Sequence, residues 1–138
     1  MKKVKRTFIQ LPVKDLEKSR NFFTQLGFFF DTQLTDDRSA SLIIIEDCVY
    51  CMLVREDFFD AFTSKPVALN AQTTEVVIAI EVDNKEAVDD MIREVVAGGG
   101  AIYSEPADRG WLYQHFFYDP DGHQWEVYAV DKGRMVSR

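Results

Sequence analysis

"FIQLPVKDLEKSRNFFTQLGF", residues 8–28, changes its hydrophobic period part-way along. Ile9, Leu11 and Val13 alternate with Phe8 and Gln10, the two-residue period of a strand, whereas Leu16, Phe22, Phe23 and Leu26 fall at helical spacing. Asp15 stands where a helix N-cap belongs and Gly27 where a helix stops. A strand therefore runs directly into a helix.

The same order returns in "EVVIAIEVDNKEAVDDMIREVVA", residues 75–97, where Val76, Ile78, Ile80 and Val82 alternate before a helical stripe of Val88, Ile92 and Val95. Val13 and Val82, each just ahead of its helix, lie 69 positions apart (82 minus 13), half of the 138-residue chain. An internal duplication accounts for that length. Three β-like runs follow the first helix, near 28–32, 40–46 and 48–54. Three more follow the second, near 101–104, 113–118 and 123–130, the last two joined by Asp119-Pro120-Asp121-Gly122. The spacing predicts an α+β fold of two βαβββ modules, residues 6–55 and 75–131, in one domain. Between them, 56–74 forms a linker that opens with the short amphipathic helix 56–62. Helices on one face of each sheet bury its aliphatic side; the other sides, bearing Phe8, Gln10, Val77, Glu126 and Tyr128, face water or curl around a cavity.

Composition narrows the function. Sixteen Lys+Arg against 23 Asp+Glu give a net charge of −7, which repels nucleic acid and anionic membranes. No window approaches a membrane span, and the basic start "MKKVKR" leads into a strand rather than an apolar export segment, so a cytoplasmic location is expected. Cys48 and Cys51 match a CxxC spacing, but in a strand they point to opposite faces roughly 10 Å apart, so they read as structural thiols. Gly98-Gly99-Gly100 follows a helix instead of opening one and reads as a helix stop, not a phosphate cradle.

With both ends in view, "FIQLPVKDLEKSRNFFTQLGF" resembles the opening of the vicinal oxygen chelate superfamily (glyoxalase I, extradiol dioxygenases, fosfomycin-resistance transferases, bleomycin-binding proteins). "DPDGHQWEVY", residues 119–128, resembles its closing hairpin. The resemblance implies a cupped mixed β-sheet with helices on its outer face, a hollow that holds a divalent cation and substrate, and a homodimer. It also implies that metal ligands come from the first and fourth strands of each module, which here are Phe8, Met52, Val77 and Glu126. Only Glu126 offers an oxygen or nitrogen, and a lone carboxylate leaves most of a divalent ion's shell to water. No cofactor is therefore expected, and if any metal binds, Glu126 is its ligand.

Three readings of the hollow stand open. In the first, a metal-free pocket lined by Phe8, Met52, Val77, Trp111 and Glu126 binds a small molecule, as bleomycin-binding relatives do without chemistry. In the second, a glyoxalase-like lyase or isomerase uses Glu126 as acid/base, because desolvation moves a carboxylic acid towards proton transfer at neutral pH. Gln10, Tyr113 and His115 would then be the available donors, with Tyr128 on the same face as Glu126. In the third, the sheet only mediates dimerisation. Glu126 is also placed to be a solvated surface acid or a partner of Arg6, and the direction of His115 depends on a strand register that spacing leaves open.

Overall fold

The computed structural model describes residues 1–68 and 73–134, in two compact units, Met1–Asn70 and Ala71–Arg138. The first contains β1 (Thr7–Val13), α1 (Leu16–Gln25), β2 (Phe30–Asp31), β3 (Ser39–Ile45), β4 (Val49–Arg55) and α2 (Glu56–Phe59). The second contains β5 (Val77–Glu81), α3 (Lys85–Ala97), β6 (Ala101–Ile102), β7 (Ala107–Asp108), β8 (Leu112–Tyr118) and β9 (Gln124–Val130). The fold is α+β, with one mixed sheet per unit.

The two sheets repeat one topology. In the first the order is β1-β4-β3-β2, with β1 parallel to β4 and the other pairs antiparallel. In the second it is β5-β9-β8-β6, with β5 parallel to β9 and β7 also on β8. The first strand of each module thus forms one edge of its sheet, and the last strand lies beside it.

In the first unit Leu11 and Val13 of β1, Cys51 and Leu53 of β4, and Ala40 and Leu42 of β3 are buried, as are Leu16, Phe22 and Phe23 of α1. Burying a side chain of this size contributes roughly 1.5–3 kcal/mol. Asp15 caps α1 by accepting from Lys18 N at 3.0 Å, and Gly27 ends it at φ 96°, a left-handed conformation that favours glycine. Cys51 is buried in β4 while Cys48 is exposed just before it, and neither forms a disulfide. Phe58 of α2 lies under the guanidinium groups of Arg38 and Arg55 at 4.5 and 5.2 Å, whereas Phe62 is exposed.

The second unit packs Val88, Ile92 and Val95 of α3 over Ile78, Ile80, Phe117, Trp125 and Val127, all buried, with the Phe117 and Trp125 rings stacked at 6.2 Å. Several boundaries differ from the sequence expectation, among them the strand expected at 101–104, which spans only Ala101–Ile102, and the helix expected at 56–62, which is α-helical only to Phe59. The strand expected at 28–32 is only two residues long, because Asp31 accepts from Gln33 N and winds Thr32–Leu34 into a 3-10 turn. The second helix begins at Lys85, since Asn84 accepts from Ala87 N at 2.9 Å and acts as its cap. Residues 107–108, outside the strands expected from the sequence, form β7, whose Ala107 and Asp108 pair with Gln114 and Tyr113. No described helix is long and apolar enough to cross a membrane.

Candidate functional site

The hairpin of β8 and β9 decides which side chains meet Glu126. Its turn is pinned by Asp119, whose Oδ1 accepts from Asp121 N at 2.9 Å and His123 N at 3.0 Å while Oδ2 accepts from Trp125 Nε1 at 3.1 Å. Gly122 closes it at φ 85°. Tyr118 therefore pairs with Gln124, Phe116 with Glu126 and Gln114 with Tyr128. Even-numbered positions of both strands share one face, because five residues separate the closing pair.

Glu126 is half-buried on that face, between Phe116 of β8 and Ala79 of β5. Gln114 Nε2 donates to Glu126 Oε2 at 2.9 Å, which holds one oxygen and leaves Oε1 without a partner among the described residues. Tyr103, just after β6, closes an aromatic wall beside it: its ring centroid is 4.4 Å from Tyr118 and 6.0 Å from Phe116. Burial, then the Tyr118 phenol and the Glu126 carboxylate, raise the Tyr103 phenol above its ordinary value. Tyr128 is likewise raised, by burial first and then by Glu81 and Glu126. The face thus carries two carboxylates, Glu126 and Glu81, and β5, β8 and β9 place no Lys or Arg on it.

Tyr113 and His115 do not belong to this site. Odd-numbered positions of β8 point to the α3 side of the sheet: Tyr113 Oη donates to Asp89 Oδ1 of α3 at 2.7 Å, and His115 is buried opposite Val127. Neither ring nitrogen of His115 has a hydrogen-bond partner among the described residues. Trp111 lies with Tyr113 and Lys85 in an open groove of about 910 Å³ at the N-terminal end of α3, lined also by Asp108 and Arg134. The lining of that groove includes neither Glu126 nor Gln114 nor the aromatic wall, and its charges are of both signs, with Lys85 paired to Asp108 at 3.2 Å. Chemistry, not volume, singles out the Glu126 face.

The corresponding face of the first unit carries Phe8, Gln10 and Met52, with Phe8 opposite Tyr50 and Gln10 opposite Met52. The Phe8 and Tyr50 rings stack at 4.8 Å, and Arg6 lies over both at 5.4 and 5.6 Å. Arg6 is thus engaged by aromatic faces of its own unit, and Glu126 by Gln114 of its own. Of the first- and fourth-strand positions, Phe8 and Met52 in the first unit and Val77 in the second offer neither oxygen nor nitrogen. No group of three His, Cys, Asp or Glu side chains comes together among the described residues.

The family model described as the Glyoxalase/Bleomycin resistance protein/Dioxygenase superfamily matches residues 5–127. The chain belongs to this superfamily. Among solved structures, hypothetical protein SA1046 from S. aureus aligns with a TM-score of 0.79 at 27% identity, covering 94% of this chain and 96% of that one. A glyoxalase/bleomycin resistance protein/dioxygenase family enzyme from Burkholderia phytofirmans aligns at 0.73 and 18% identity, covering 90% and 97%. The fosfomycin resistance protein FosX from Listeria monocytogenes aligns at 0.65 and 22%, covering 92% and 93%. A comparison with curated protein sequences finds no match. The superfamily's fold is thereby shared across nearly the whole chain.

Gln114, Phe116, Tyr118 and Tyr103 are not among the site residues expected from the sequence. The signal for the first three was present in the Asp-Pro-Asp-Gly turn: a five-residue connection puts Gln114, Phe116 and Tyr118 on the Glu126 face, whereas one residue more or fewer would have brought His115 there instead. Tyr103 follows a two-residue strand, too short to carry a period.

Proposed function

We propose that this member of the glyoxalase superfamily binds a small organic molecule against the Glu126 face of its second unit, without a metal. The observation that carries the reading is the Gln114–Glu126 pair at 2.9 Å set against the Tyr103, Phe116 and Tyr118 rings: one fixed acid in an aromatic surround is the composition of a ligand site. The donor set does not suit a divalent ion. Catalytic metal sites take about three protein ligands; here three of the four inherited positions are Phe8, Met52 and Val77, and one oxygen of Glu126 is already held by an amide.

Acid/base catalysis by Glu126 is a second reading, favoured by its Oε1, which has no hydrogen-bond partner among the described residues. It needs a group to stabilise the charge that develops on substrate. Tyr113 and His115 face α3 and do not supply it; the Gln114 amide is the neighbouring donor.

A thermal-shift screen of the purified chain against a metabolite collection and against Ni, Zn, Co and Mn separates these readings. Binding predicts stabilisation by organic compounds that Glu126→Gln weakens, and no turnover of them. Stabilisation by a metal alone, lost in Glu126→Gln, would overturn the proposal; turnover that Glu126→Gln abolishes would select the acid/base reading.

A further inference from the structure

On the Glu126 face, the described residues of β5, β8 and β9 offer no Lys or Arg side chain to a negative ligand. Glu126 and Glu81 are its charged groups, and the whole chain carries −7. An anion brought here would lose hydration and meet like charge. The free Oε1 of Glu126 asks instead for a donor or a positive charge. Beside it stand Phe116, its direct cross-strand neighbour, and the tilted pair Tyr103 and Tyr118 at 4.4 Å. Aromatic rings present negative faces, to which cations are drawn within about 6 Å. Carboxylate and ring faces therefore attract the same sign of charge from the same side of the sheet.

We propose that the ligand of this face is an organic cation, an amine or quaternary ammonium group on an apolar body, with Glu126 as its counter-ion and Tyr103, Phe116 and Tyr118 as its aromatic wall. The proposal rests on the small-molecule reading above and adds the charge of the ligand. Gln114 acts as a positioning residue: its amide holds Oε2, so the carboxylate reaches the ligand through Oε1. Tyr128, pressed between Glu81 and Glu126, keeps its proton and remains a hydrogen-bond donor at neutral pH.

The test compares benzyltrimethylammonium, benzyl alcohol and benzoate, probes that share an aromatic body and differ in charge, by amide chemical-shift perturbation in the intact chain. The expected result is that the cation shifts the amides of Gln114, Phe116, Tyr118 and Glu126, binding about tenfold more tightly than the alcohol. Benzoate should leave them unmoved. Glu126→Gln, an isosteric change, should erase the preference for the cation while leaving the alcohol's affinity in place. Tyr118→Leu should weaken the cation severalfold where Tyr118→Phe, which keeps a ring face, does not. Equal binding of cation and alcohol at these amides, unchanged in Glu126→Gln, would overturn the cation assignment and leave the small-molecule site standing. If none of the three probes moves these amides, the small-molecule reading falls together with it.

Discussion

Gln114 and Glu126 meet across the β8–β9 hairpin with the amide donating to the carboxylate at 2.9 Å, and this contact sets the orientation of the candidate site's one anchored acid. A hydrogen bond to a charged group contributes about 1.5–3 kcal/mol when buried, and less in a half-buried setting such as this. Gln114→Glu keeps the shape and replaces attraction by repulsion. We expect it to lower stability by about 1 kcal/mol at neutral pH, with the deficit disappearing as acid protonates one of the two carboxylates. Urea unfolding at neutral and acidic pH reads the effect, and a deficit that persists in acid would contradict it.

His115 is buried with neither ring nitrogen bonded among the described residues, on the face turned away from Glu126. Leaving a buried polar group unpaired costs about 1–3 kcal/mol, and an apolar side chain of similar size removes that cost. His115→Leu should therefore raise stability by about 1 kcal/mol and leave the ligand affinity of the Glu126 face unchanged. A loss of stability of comparable size in equilibrium unfolding would show that the imidazole has a partner.

Tyr113 is pushed up to about 12 by burial, with further contributions from its hydrogen bond to Asp89 and the charge of that carboxylate. The folded state thus holds the phenolic proton more tightly than the unfolded chain, whose tyrosines titrate near 10. Its contribution to stability is fully present below pH 10 and is lost as pH rises towards 12. Tyr113→Phe should remove one late-titrating phenol from an ultraviolet tyrosinate titration, cost about 1 kcal/mol at neutral pH, and leave ligand binding intact. Weakened binding in this variant would return Tyr113 to the site.

Asp119 accepts three hydrogen bonds in the turn, one of them from the buried Trp125 indole. Burial is the largest influence on its carboxyl and raises it above the ordinary 3.8, against the opposing pull of His123 and the Trp125 N–H. A raised carboxyl binds its proton more tightly folded than unfolded, so that part of the stability is complete below 3.8 and declines as pH rises through the folded value. Asp119→Asn, uncharged throughout, should flatten this segment of the stability curve. Asp119→Ala, which removes the acceptor of all three hydrogen bonds, should cost about 2–4 kcal/mol. Denaturant unfolding across acidic pH compares the two, and an unaltered curve in Asp119→Asn would contradict the account.

Periodicity carried the fold further than the site. Leu11 and Val13 before Leu16, and Ile80 before Val88, reported strand and helix by their spacing, and Asp15 and Gly27 marked the ends of α1, because burial of one face enforces a period on sequence. Glu126 was legible because a charged residue interrupts an otherwise apolar strand. Tyr113 and His115 were not: whether they face Glu126 or α3 turns on a one-residue difference in a turn, which side-chain type does not encode. Phe8 was placed on its face by parity and Met52 by the family resemblance, but the stacking of Phe8 on Tyr50 beneath Arg6 depends on β1 pairing parallel with β4, a partner 42 positions away (Tyr50 against Phe8).

Whether Glu126 anchors an organic ligand or an ion is decided by native mass spectrometry of the chain purified without chelator and exposed to both benzyltrimethylammonium and a divalent-metal mixture. The expected result is an adduct at the mass of the organic cation that is depleted in Glu126→Gln, with no stoichiometric metal. A chain carrying about one divalent ion, lost on Glu126→Gln, with no organic adduct, would contradict it.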